Sequence, residues 1–147
     1  DGPERDAFEQ AEWTSYFRDT INPLIEATAA CAGLKPPLIW NQYGARLAYF
    51  RNFARDSDWP QRVRDRFERG VVTLLSLPGA TFGRRTNPFA FTPVYLDSPY
   101  RPGEKMMIRS SCCMYYKREN GEKCYNCPVL KDADRERMRT AIAASRG

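Results

Sequence analysis

The sequence predicts an α-rich α+β fold: a helical bundle, a small β-hairpin, and a C-terminal cysteine-bearing loop followed by a helix. Three observations predict it. Apolar residues recur at three- and four-residue steps through the first half of the chain, the stripe of amphipathic helices. From Gly79 to Arg109, glycines and prolines cut the chain into pieces too short for helices, and β-forming residues fill those pieces. Beyond them, four cysteines crowd into a loop that precedes a last helical pattern.

Trp13, Phe17, Ile21, Leu24 and Thr28 make the first stripe. Pro23 interrupts it, and Asn22-Pro23 also reads as N-cap and first residue of a new helix. A kink, or two helices over 4–20 and 23–32, is therefore expected, with Gly33 as the stop. After the Lys35-Pro36-Pro37 connector, a helix from Pro37 to Ala54 should bury Ile39, Tyr43, Leu47, Phe50 and Ala54. The Asp56-Ser57-Asp58-Trp59-Pro60 stretch resets the chain, with Pro60 near the start of a third helix. That helix turns Val63, Phe67, Val71 and Leu74 inward and Arg62, Arg66 and Arg69 outward, and ends at Pro78-Gly79.

Phe89 to Leu96 can pair with Lys105 to Arg109 across the turn-rich Asp97 to Gly103 link, giving a hairpin. Met114 to Lys117 is expected as a further strand, turning at Glu119-Asn120-Gly121. A final helix should follow Cys127-Pro128, with Pro128 as its first residue, and reach Ser145 with Leu130, Met138 and Ile142 on one face.

Composition bounds the rest. A chain of 147 residues fits one domain, residues 1–147, and is long enough to bury a core. Its 42% hydrophobic and 13% aromatic content argues for a folded globule. No run approaches the ~18 apolar residues of a membrane span, and no leader pattern precedes a cleavage site. Five clustered cysteines do not make a disulfide scaffold, so a reducing compartment, the cytoplasm, is expected. The net charge is +5, which suits an acidic redox partner, an anionic iron chelate or nucleic acid. Histidine is absent. Ser–His and Cys–His dyads, two-Cys-two-His zinc fingers and two-histidine Rieske ligation are thereby excluded. Electron transfer needs none of them.

Cys112, Cys113, Cys124 and Cys127 follow a C-C-x10-C-x2-C pattern within sixteen residues. Thiolates are the metal-ligating form of cysteine, so four of them make a metal cage. The adjacent pair is the telling part. Structural zinc sites space their cysteines C-x2-4-C, and neighbouring side chains on an extended backbone point to opposite faces. Cys112 and Cys113 therefore reach one small ion only with a local bend. A two-iron cluster accommodates them more easily, which favours an iron–sulfur centre, in its simplest form [2Fe–2S] with four cysteine ligands. Four thiolates around that core add about −2 to the charge, which weakens the nucleic-acid reading. Zinc and metal-free thiols are the alternatives, although a Cys112–Cys113 disulfide would close a strained ring.

The same stretch resembles the C-terminal signature of the FhuF-like ferric siderophore reductases. Arg109-Ser110-Ser111-Cys112-Cys113-Met114-Tyr115-Tyr116, then Gly121, Lys123-Cys124 and Cys127-Pro128, is similar to that family's R-x-x-C-C-x-x-Y-Y and C-x-x-C-P elements. Leu38-Ile39-Trp40-Asn41 resembles its middle region more weakly. The resemblance implies a cytoplasmic one-electron reductase that frees iron from siderophores, with the four cysteines as iron ligands in a cluster-binding segment over 109–130. Members are usually longer and this chain begins at Asp1, so it reads as a short member or part of a longer chain, with part of a substrate site outside it.

Around the cysteines, the loop of Gly121, Glu122, Lys123, Tyr125 and Asn126 is expected to aim N–H groups at sulfur. The N-terminus of a helix beginning at Pro128 would act the same way, and Arg109, Lys117 and Lys123 add positive charge. Arg84-Arg85, flanked by Phe82, Phe89 and Phe91, is a candidate contact for an anionic chelate, against the plainer reading of a solvated loop. Cys31 is read as a small buried hydrophobe without a role, and Trp40 and Tyr43 as core. No G-x-G-x-x-G fingerprint is present, so an external ferredoxin or flavoprotein is the implied donor. The expected partners are thus a ferric siderophore and that donor, with no nucleic acid, no membrane span and a monomeric state. A zinc module binding nucleic acid or protein, or an iron–sulfur electron relay, is the alternative function.

Overall fold

In the computed structural model, which describes residues 2–145, Pro23 interrupts the N-terminal helix without ending it. Helix α1 (Pro3–Tyr16) passes through a π-turn (Phe17–Ile21) straight into α2 (Asn22–Ala32). Proline has no N–H to return to the preceding turn. The ladder instead widens, and the Asn22 N–H bonds the Phe17 carbonyl five residues back. The wider turn delays the buried face by one residue. Ile25 and Ala29 are buried, whereas the expected Leu24 and Thr28 are exposed. Gly33, at φ 63°, ends α2 in the left-handed conformation, and the Leu34 N–H closes on the Ala29 carbonyl at 2.8 Å.

The helix expected over Pro37–Ala54 is broken in two, α3 (Pro36–Trp40) and α4 (Tyr43–Asp56). In an unbroken helix the Gln42 N–H would bond the Leu38 carbonyl. Here the Gln42 side-chain amide takes that carbonyl at 3.2 Å, while its N–H turns to Ile39. The break rotates the stripe. Trp40 and Ala54 are buried, but Tyr43 and Phe50 are exposed. Helix α5 (Gln61–Ser76) keeps Val71 and Leu74 buried and Arg62, Arg66 and Arg69 exposed as expected, although Val63 is exposed. Pro60 is its N-cap, one residue earlier than its first turn. Exposed Arg51 and Glu68 pair between α4 and α5, a contact of the kind worth little in water.

The helical core is Phe17, Ile25, Trp40, Leu74, Leu77 and Phe82. Its centre is aromatic, with Phe17 and Phe82 centroids 4.8 Å apart and Trp40 edge-on to Phe82 at 5.4 Å. Below α5, Asn87 donates to the Leu74 and Leu77 carbonyls and accepts the Phe89 N–H, capping the helix end from outside. Residues 84–86 fold back over Gly79, where an added Cβ would lie 2.7 Å from Arg84 O. Only glycine fits that approach.

The chain divides into two compact units between Phe91 and Thr92. Phe89, expected in a strand, packs instead against Phe17, Trp40 and Phe82 in the first unit. The hairpin of the second unit is correspondingly short. Strands β1 (Tyr95–Asp97) and β2 (Lys105–Met107) pair antiparallel, Tyr95 opposite Met107 and Asp97 opposite Lys105. Their link turns through Ser98, whose hydroxyl accepts the Tyr100 and Arg101 N–H groups. Met114–Lys117 is not a strand. Met114 is left-handed at φ 58° and leads into a 3-10 turn (Tyr115–Lys117). Helix α6 (Asp132–Ala144) completes the unit, with Met138 and Ile142 half-buried.

Candidate metal centre

One backbone bond and one side-chain bond bring the cysteine pairs together. The Arg109 N–H leaving β2 bonds the Asn126 carbonyl at 3.1 Å, and the Asn126 amide bonds back to the Met107 carbonyl at 3.1 Å. These two hydrogen bonds tie the segment entering Cys112 to the loop that holds Cys124 and Cys127. In that loop the Cys127 N–H reaches the Cys124 carbonyl at 3.0 Å, the tight turn a C-x2-C spacing permits. Met114, directly after the adjacent pair, is left-handed at φ 58° and turns the chain away from it. Its N–H points back at the Cys112 Sγ, 3.4 Å away.

As a result, Cys112, Cys113, Cys124 and Cys127 all line one small cleft, and all are thiols. The Cys112 and Cys127 sulfurs lie 3.6 Å apart. Two thiolates on one tetrahedral metal at about 2.3 Å stand about 3.8 Å from each other. That pair is thus spaced for a shared metal. Among the described residues, no three Cys, His, Asp or Glu groups close on a single ion.

Depth grades across the cleft. Cys127 is buried, Cys112 and Cys124 are half-buried, and Cys113 is exposed. Burial pushes the Cys127 thiol up, and neighbouring Cys112 and Cys124 push the same way, against a backbone bond from Val129. Metal binding reverses that preference, because only the thiolate ligates. Positive charge is near: Arg109 and Lys123 line the cleft, as does the carboxylate Glu122. Lys123 also lies over the Tyr116 ring at 5.2 Å, and Arg118 over Tyr115 at 4.6 Å.

Three expectations about the surroundings are corrected. Met114 and Val129 donate N–H groups to sulfur from outside the Gly121–Asn126 stretch, and the Gly121 N–H is spent on Arg118 O. Pro128 does not begin the last helix, which starts at Asp132 with Lys131 as N-cap, so its dipole does not act from Pro128. The Cys127–Leu130 turn, closed by the Leu130 N–H on the Cys127 carbonyl, stands between them. Cys31 is exposed rather than buried, because the π-turn rotates α2. Arg84 and Arg85 belong to the first unit and the four cysteines to the second.

Arg135 escaped the sequence reading. Its guanidinium is largely buried and donates to the carbonyls of Tyr125 at 3.1 Å, Cys127 at 3.1 Å and Leu130 at 3.3 Å, while pairing with Asp132 at 2.7 Å. The available signal was its place in a first helical turn, where acidic residues are favoured and a cation opposes the dipole.

With the cleft defined, comparison with known families bears on it. Residues 109–128 match the FhuF 2Fe-2S C-terminal domain. All four cysteines fall inside that match, and the cofactor of a FhuF-type segment is a [2Fe–2S] cluster. Neither the curated proteins nor the solved structures contain a match to the chain. The FhuF-type segment therefore carries the family evidence, and it coincides with the four-thiol cleft. Among the described residues, no helix is long and apolar enough to cross a membrane.

Proposed function

We propose that this chain is a ferric siderophore reductase, an iron–sulfur oxidoreductase working in the reducing cytoplasm, with Cys112, Cys113, Cys124 and Cys127 as the ligands of its [2Fe–2S] cluster. The observation that carries this reading is the four-thiol cleft lying wholly inside the FhuF-type match. When bound, the cluster supplies a one-electron carrier. A single electron, delivered by an external ferredoxin or flavoprotein, turns chelated ferric iron into ferrous iron. Hydroxamate and catecholate oxygens grip the softer ferrous ion less tightly, and it is released.

The chain's own residues need only hold, shield and attract. Cys127, buried with Tyr125 and Leu130 beside it in sequence, anchors the inner edge. Cys113, on the exposed side, marks the edge a bulky chelate reaches first. Arg109 and Lys123 on the cleft draw anionic chelates by charge. Arg84 and Arg85 are proposed as further chelate contacts through charge-assisted hydrogen bonds.

Stopped-flow mixing of the anaerobically reduced protein with a ferric siderophore tests the reading. Reoxidation should depend on chelate concentration, and should slow in the Arg84→Ala/Arg85→Ala variant more for anionic than for neutral chelates. High salt should mask that difference. Chelate-independent reoxidation would make the protein an electron relay, and equal rates in the double variant would remove the two arginines from the substrate site.

A further inference from the structure

The Arg135 guanidinium donates to three separate backbone carbonyls of the cysteine loop, those of Tyr125, Cys127 and Leu130. Its side chain is only 13% exposed, while its ion-pair partner Asp132 is 100% exposed. The pair therefore adds little by itself. The carbonyl bonds are the substance of the contact. They are inside a region where Tyr125, Cys127 and Leu130 are each 8% exposed or less. An unpaired carbonyl there is costly, so each bond constrains the loop.

We propose that Arg135 is a positioning residue for the iron–sulfur cluster. Its planar fork fixes the Cys124–Cys127 half of the nest from helix α6, and its permanent charge beside the Cys127 peptide favours the reduced, more negative cluster. The inference rests on the four cysteines being the cluster ligands. Geometry and charge separate cleanly here because arginine and lysine differ. A lysine ammonium keeps the charge, but as a compact point donor on a flexible stem it cannot hold carbonyls at 125, 127 and 130 in one fixed plane.

The test uses the full chain with its cluster, in wild type, Arg135→Ala and Arg135→Lys. Two quantities are read: the rate of cluster loss to an iron chelator, followed by visible absorbance, and the reduction potential. Arg135→Ala should lose its cluster at least tenfold faster and be harder to reduce. Arg135→Lys should also lose it faster, yet keep a potential near that of wild type. Where Arg135→Ala does not fold, the lysine variant decides alone. A lysine variant that holds its cluster as long as wild type overturns the proposal. So does an alanine variant that melts earlier but keeps wild-type loss rate and potential, which marks a purely structural role. A wild-type protein without iron and sulfide would instead remove the underlying cluster assignment, a result visible before any variant is made.

Discussion

The sulfurs of Cys112 and Cys127 lie 3.6 Å apart, one from each half of a motif that places them fifteen residues apart. Sequence order would pair Cys112 with Cys113 and Cys124 with Cys127. The fold pairs across instead, because the Arg109–Asn126 clamp sets the two halves side by side.

The first prediction is that Cys112 and Cys127 share one iron and Cys113 and Cys124 the other. In the reduced protein, ligands of the ferrous and ferric sites show opposite temperature dependence of their shifted β-proton resonances. Cys112 and Cys127 should fall together in paramagnetic NMR. Grouping of Cys112 with Cys113 would defeat the assignment.

Thiol accessibility should follow the depth gradient. In the metal-free protein, Cys113 and Cys31 should alkylate at least about tenfold faster than buried Cys127, since reactivity tracks exposure of the thiolate. Peptide mapping by mass spectrometry after timed quenching reads this directly. Comparable rates for Cys113 and Cys127 would contradict the graded cleft.

Gly121→Ala should damage the centre without touching a cysteine. A Cβ at that position meets the Tyr115 carbonyl and lies 2.7 Å from the Arg118 Cγ and 3.0 Å from the Arg118 carbonyl. Overpacking of this kind costs about 1–3 kcal/mol, and it falls on the turn between the cysteine pairs. Reconstituted iron content and chelator resistance should both drop.

Phe82→Ala should destabilise the helical core by about 3–5 kcal/mol, the range for a large buried aromatic. Phe82 is 1% exposed and contacts the rings of Phe17, Trp40 and Phe89. Urea unfolding followed by tryptophan fluorescence measures the loss.

Asp19 gives a pH signature. A hydrogen bond from Arg18, then one from Ser15, lowers its carboxyl from 3.8 to about 2. A depressed folded pKa means its contribution is complete above the unfolded value and is lost as pH falls through about 2. Carboxyl-detected NMR titration should find the low midpoint in wild type and an ordinary one in Arg18→Met. Asp19→Asn should flatten that part of the acid-stability curve.

The cysteine spacing, the hairpin, the Gly33 stop and the inward residues Phe17, Val71 and Leu74 were legible in the sequence, since each follows from a local rule. The misses share a cause. The interruption at Pro23 is legible, but the periodicity does not show that it takes the form of a π-turn, which shifts the buried face to Ile25 and Ala29. Periodicity ran Pro37–Ala54 as one helix, because nothing in the pattern reveals a side-chain amide replacing a backbone donor at Gln42. Pro128 suggested a helix start, yet the Cys127–Leu130 turn delayed it to Asp132. Beyond its ion pair with Asp132, Arg135 bonds carbonyls, and these contacts leave no trace in the sequence except a cation placed in a first helical turn.

The Asn126–Met107 bond spans nineteen residues, and the Arg135 bonds span ten or fewer. Closing a loop of that size instead of one of ~100 residues spares about 1.5 kcal/mol of chain entropy. The nest is thus assembled almost wholly from its own neighbourhood in the chain. Reloading of the emptied cleft with iron and sulfide is therefore expected to need only these short closures.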